Sequence, residues 1–121
     1  MLSNTIQKGD WKNEKHVPVI EVITATPGEL VEVKLTVGKE IGHPNTYEHY
    51  IAWFKLFFQP EGFPKPIEVG NIDFKAHGED EVFTEYEGTI KFKAEKGGKL
   101  FAMSYCNIHG LWENEEDLVI G

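Results

Sequence analysis

The chain has 121 residues, a single cysteine and a formal charge of −8 from 12 basic and 20 acidic side chains. That length predicts one domain over residues 1–121 that folds without disulfides, and the lone Cys106 excludes an internal one. The basic residues are all lysine and form no cluster, which argues against nucleic acid; no apolar run suits a signal peptide or membrane helix, so the expectation is a cytoplasmic protein with no membrane contact.

Taken in order, residues 17–23 read as a first strand, with Pro18 placing its start at an edge or bend. Val31, Val33, Leu35 and Val37 alternate with Glu32, Lys34 and Thr36, the period of a half-buried strand. Residues 50–58 are rich in aromatics and suit a central strand. Residues 67–74, 82–86, 89–94 and 99–105 supply further strands, and 118–120 a short last one. Turns are marked by Pro27-Gly28, by Gln59-Pro60-Glu61-Gly62 and by Gly97-Gly98. No segment keeps helical periodicity over three turns. The pattern predicts an all-β chain, an immunoglobulin-like β-sandwich of about seven strands. The acidic patch Glu79-Asp80-Glu81 with Glu85 and Glu87 reads as a solvated loop and strand face.

The chemistry concentrates around Ser104-Tyr105-Cys106-Asn107-Ile108-His109-Gly110-Leu111-Trp112, where Cys-x2-His spacing puts a thiolate and an imidazole in reach of one metal ion. Two further runs carry histidines: Glu14-Lys15-His16-Val17-Pro18 and His43-Pro44-Asn45-Thr46-Tyr47-Glu48-His49. Pro44 stiffens the second run, and Asn45 and Thr46 are placed to bond its backbone locally. Taken singly, a cysteine is more often a small buried hydrophobe and a histidine more often a hydrogen-bonded structural residue. The conjunction points to a metal. Four imidazoles and one thiolate exceed the four ligands of structural zinc. A blue-copper site uses two histidines and a weak methionine, and no methionine follows Cys106. Iron takes higher coordination, so five protein ligands leave one position for a small molecule.

These three runs, together with Val37-Gly38-Lys39-Glu40-Ile41 and Ala76-His77-Gly78-Glu79, resemble the superoxide reductases of the one-iron type, the neelaredoxins. The resemblance covers nearly the whole chain. It implies one non-haem iron with equatorial His16, His43, His49 and His109 and axial Cys106. It also implies inner-sphere one-electron reduction of superoxide to hydrogen peroxide, with no oxygen returned. The second iron centre of two-iron relatives needs four more cysteines, which are absent. Lys15 is implied to attract the anionic substrate, and Glu14 to cap ferric iron at the sixth position. Rubredoxin as electron donor and a homotetrameric assembly are implied on the same ground. The N–H groups of the 107–109 turn are candidates to bond the Cys106 sulfur and tune its donation. His77 matches no iron ligand and reads as a hydrogen-bonded turn residue; Tyr105 and Trp112 read as packing or shielding the site. Gly42 and Tyr50 stand where the family often has proline and histidine, and the stretch from His77 to Tyr86 is short for the family.

Overall fold

The computed structural model describes residues 1–8, 17–37 and 44–120. Its strands are β1 (Pro18–Thr24), β2 (Leu30–Val37), β3 (Ile51–Pro60), β4 (Ile67–Asp73), β5 (His77–Glu79), β6 (Val82–Phe83), β7 (Glu87–Lys93), β8 (Gly98–Cys106) and β9 (Gly110–Leu118). Seven of them build two antiparallel sheets, ordered β1-β2-β7 and β4-β3-β8-β9, while β5 and β6 form a separate hairpin. This is the all-β sandwich that the alternation predicts. Among the described residues no helix is long and apolar enough to cross a membrane.

Alternation dictates which face each strand buries. Val31, Val33, Leu35 and Val37 of β2 point inward, between a partner strand on each side. They meet Phe54, Leu56 and Phe58 of β3 and Leu100 and Ala102 of β8 in one apolar cluster. Pro18 opens β1, an edge strand, where a missing N–H costs no ladder bond. Where β4 and β7 approach across the sandwich, glycines make room for isoleucines. A Cβ on Gly70 would lie 2.8 Å from Ile90 Cγ2, and one on Gly88 would collide with Ile72 Cδ1. The turn at 26–29 closes through the Glu29 N–H to Thr26 O (3.1 Å), with Gly28 at φ 72°.

The sequence reading differs from the structure in three places. The apolar pattern predicts a last strand only at 118–120, yet β9 runs Gly110–Leu118. Its interior holds Asn114, Glu115, Glu116 and Asp117, so only Trp112 and Leu118 bury and the apolar alternation is too sparse to read. Residues 84–86 leave the ladder: Thr84 still donates its N–H to Ala76 O (2.8 Å), but the Ala76 N–H turns to the Thr84 hydroxyl (3.0 Å) and the Thr84 carbonyl accepts Asn45 Nδ2. Finally, His77–Glu79 is a strand that periodicity missed, since three residues carry no period. Its reversal uses Asp80 and Glu81 at φ 48° and 62°, the left-handed pair of a tight hairpin, which explains how the short 77–86 stretch still turns. The acidic run is thus a turn, as expected. Glu79 accepts the His77 N–H at 2.8 Å, and backbone N–H bonds, His77's first, hold its carboxyl below the usual range.

Candidate metal centre

The Cys-x2-His spacing becomes geometry through one hairpin. Cys106 ends β8, Gly110 begins β9, and the two are paired across a three-residue loop. Gly110 completes the reversal at φ 84°, a value that side-chain-bearing residues rarely adopt. Within that loop the His109 N–H donates to Cys106 Sγ at 3.4 Å, and His109 Nδ1 lies 3.9 Å from the same sulfur. The expectation that turn N–H groups bond the sulfur therefore holds for His109. The Asn107 N–H does not take part; it donates to Tyr50 O at 3.1 Å.

Strand pairing then brings the second run to the first. β3 begins at Ile51 opposite Cys106, so the loop just before it lies against the 107–109 turn. His49 and His109 meet edge to face with ring centroids 4.9 Å apart. His49, Cys106 and His109 form a group whose ligand atoms all lie within 4.8 Å of one another. Cys106 is fully buried and both histidines are half-buried.

The donor set fits a metal ion. Bonds of about 2.1 Å to nitrogen and 2.3 Å to sulfur span atoms roughly 3.1 to 4.4 Å apart, according to the angle at the metal. The 3.9 Å between Cys106 Sγ and His109 Nδ1 falls inside that window. A thiolate buried in an apolar core also needs a cation or hydrogen bonds to offset desolvation. The His109 N–H supplies one such bond. Met103 sits in the outward-facing register of β8 with Phe101 and Tyr105, opposite the buried set of Ala102, Ser104 and Cys106. Its thioether is therefore on the wrong face to be the weak axial ligand of a blue-copper site.

The loop carrying His49 is held by bonds at both ends. The Thr46 N–H donates to His49 O (3.0 Å), and Thr46 Oγ1 accepts the His49 N–H (3.0 Å), a local closure like the one expected. Asn45 departs from its expected role: its Nδ2 reaches across to Thr84 O (3.0 Å) rather than bonding its own loop. Tyr86 was not singled out from the sequence. Its hydroxyl donates to Pro44 O and accepts the Ile51 N–H, both at 3.0 Å, so it spans the whole loop. Burial pushes its phenol up to about 12. Gln7 was also missed; its Nε2 donates to His109 O at 2.7 Å while its backbone pairs along β9. Long-range bonds of this kind leave no trace in local spacing.

His77 takes the structural role expected of it. It is buried, its Nε2 donates to Phe74 O at 2.6 Å, and its ring stacks on Tyr50 at 3.8 Å. Trp112 packs fully buried, whereas Tyr105 stacks on Trp53 on the outer sheet face and does not shield Cys106. Of the seven expected site residues, His49, Cys106 and His109 converge. Glu14, Lys15, His16 and His43 lie outside the described residues, as does Gly42.

Comparison with known proteins agrees with this architecture. The family model described as desulfoferrodoxin matches residues 8–115. The superoxide reductase of Pyrococcus horikoshii is 57% identical over 118 residues, covering 98% of this chain and 99% of that one. The neelaredoxin of Megalodesulfovibrio gigas is 42% identical over 127 residues, with 98% of each chain covered. Among solved structures, a crystal structure of an oxidised superoxide reductase superposes with a TM-score of 0.92 at 54% identity, covering 98% of this chain and 99% of that chain. The reduced neelaredoxin of Archaeoglobus fulgidus gives 0.87 at 56% identity, covering 95% and 98%. With this fold, this hairpin-borne cysteine and these relatives, the chain belongs to the desulfoferrodoxin family.

Proposed function

We propose that this chain, as one domain over residues 1–121, is a superoxide reductase with one iron held by His16, His43, His49, His109 and Cys106. The observation that carries the proposal is the convergence of His49, Cys106 and His109 within 4.8 Å at one end of the four-stranded sheet. The reaction is superoxide plus one electron plus two protons giving hydrogen peroxide. When bound, iron supplies that electron by cycling between its ferrous and ferric states. Cys106 would hold the iron through its fully buried sulfur. The His109 N–H at 3.4 Å draws electron density from the sulfur and sets how strongly it donates.

The substrate is an anion, and the chain carries a formal charge of −8. Lys15 supplies a local attraction that acts over about one Debye length, roughly 8 Å at physiological salt. Glu14 is a hard carboxylate that would suit ferric iron as a further ligand in the oxidised state. The electron donor is a small redox protein such as rubredoxin. A homotetramer is proposed on the family resemblance; the outer face of the four-stranded sheet, where half-buried Trp53, Phe57, Phe101 and Met103 lie beside Tyr105, offers apolar surface for contact between copies. A cytoplasmic setting keeps the single thiol reduced.

Metal analysis joined to a visible spectrum before and after oxidation tests the reading. Iron near one per chain, with a thiolate charge-transfer band on oxidation, is the expected result. Zinc alone, with no band after iron is supplied, would defeat it.

A further inference from the structure

Asn107 sits inside the Cys-x2-His run but has no part in the donor set, and its hydrogen bonds are unusual in where they go. Its side-chain Oδ1 accepts the Tyr50 N–H at 2.8 Å. Its Nδ2 donates to Glu48 O at 2.9 Å. Those two groups belong to the two peptide units that flank His49, one on each side. A single primary amide therefore fixes both backbone dihedrals from which the His49 imidazole hangs. The Asn107 N–H, which belongs to the peptide unit following Cys106, donates to Tyr50 O at 3.1 Å. The same residue thus ties the thiolate's own backbone to the histidine's.

We infer that Asn107 is a positioning residue that locks His49 and Cys106 into one preorganised half of the metal site. The inference rests on the metal-centre reading above. Its chemical logic is specific to asparagine. The bracket needs one donor and one acceptor on a planar group, at the reach of a single methylene. Aspartate keeps the acceptor and loses the donor; alanine loses both; a reversed amide would set donor against donor and acceptor against acceptor. Thr46 already engages the N–H and carbonyl of His49 itself, so the loop is closed locally without Asn107. What Asn107 adds is the link between loops, and that link determines the distance between the imidazole and the sulfur.

The test uses the iron-loaded chain and reads metal retention and spectrum, not turnover. Ferrous iron release to a chelator and the thiolate band of the oxidised protein are compared for wild type, Asn107→Ala and Asn107→Asp. The measurement is made at a temperature where circular dichroism finds each folded. Partners that orient ligands are typically worth about 10–100-fold in metal affinity. Asn107→Ala is expected to release iron at least about tenfold faster with a displaced band, and Asn107→Asp to move the same way by less. A lower unfolding midpoint with unchanged release and band would assign Asn107 a merely structural role and overturn the inference. If the alanine variant does not fold, wild-type release and band in Asn107→Asp overturn it equally. Wild-type protein that retains no iron would instead contradict the underlying metal-centre reading, and the inference would fall with it.

Discussion

Replacing Tyr86 with phenylalanine removes one hydroxyl and two hydrogen bonds that span the His49 loop. The Pro44 carbonyl loses a donor, and the N–H of the fully buried Ile51 loses its acceptor. A lost intramolecular bond is worth about 1 kcal/mol net, and a buried group left unsatisfied costs about 1–3 kcal/mol. The expected destabilisation is therefore about 2–3 kcal/mol. For a chain of this size that lowers the unfolding midpoint by roughly 10 °C. The pH dependence gives a second check. The phenol of Tyr86 is pushed up to about 12 by burial from an ordinary 10.0. Between those values the folded state holds a proton that the unfolded state has lost, so stability falls as pH rises. Phenylalanine has no such proton, so the gap between wild type and variant should be widest at pH 8 and shrink above pH 10. Denaturant unfolding of both proteins at pH 8 and at pH 11 measures this. A loss below about 0.5 kcal/mol at pH 8, well short of the bonds counted above, or a gap unchanged at pH 11, would refute the reasoning.

Cys106→Ala should abolish the thiolate band and weaken iron binding while costing only about 1 kcal/mol of packing, because the lost group is one buried sulfur; a retained band after iron is supplied to the variant would contradict its role. Gly88→Ala should cost about 1–3 kcal/mol by forcing a methyl against Ile72. Part of that loss should return when Ile72→Val is combined with it, which a denaturant series on the single and double variants would show. Lys15→Ala should slow superoxide capture by roughly 3–10-fold at low salt and flatten its ionic-strength dependence. An unchanged second-order rate across salt would remove Lys15 from the substrate path.

Fold and site were legible to different depths, for physical reasons. β2 declared itself because it buries one face, which writes a period-two signal into its residues, and β3 because a central strand collects aromatics. β9 stayed hidden because its solvent side is acidic and its buried side shows only Trp112 and Leu118. Cys106 and His109 could be joined from spacing alone, since a hairpin loop converts a separation of three into contact. His49 needed the neighbouring histidine runs to be read as a ligand, because its approach depends on β3 pairing with β8. Asn107, Tyr86 and Gln7 were beyond such a reading. Their bonds cross 57, 42 and 102 positions respectively, and nothing local distinguishes them from other polar residues.

Reduction of superoxide at one thiolate-bound iron differs from dismutation in its products. The most direct measurement mixes reduced, iron-loaded protein with a stoichiometric pulse of superoxide and counts both hydrogen peroxide and oxygen. One peroxide for each superoxide consumed, one iron oxidised and no oxygen released is the result expected of a reductase. One peroxide and one oxygen for every two superoxides, with the iron returned to its starting state, would contradict it.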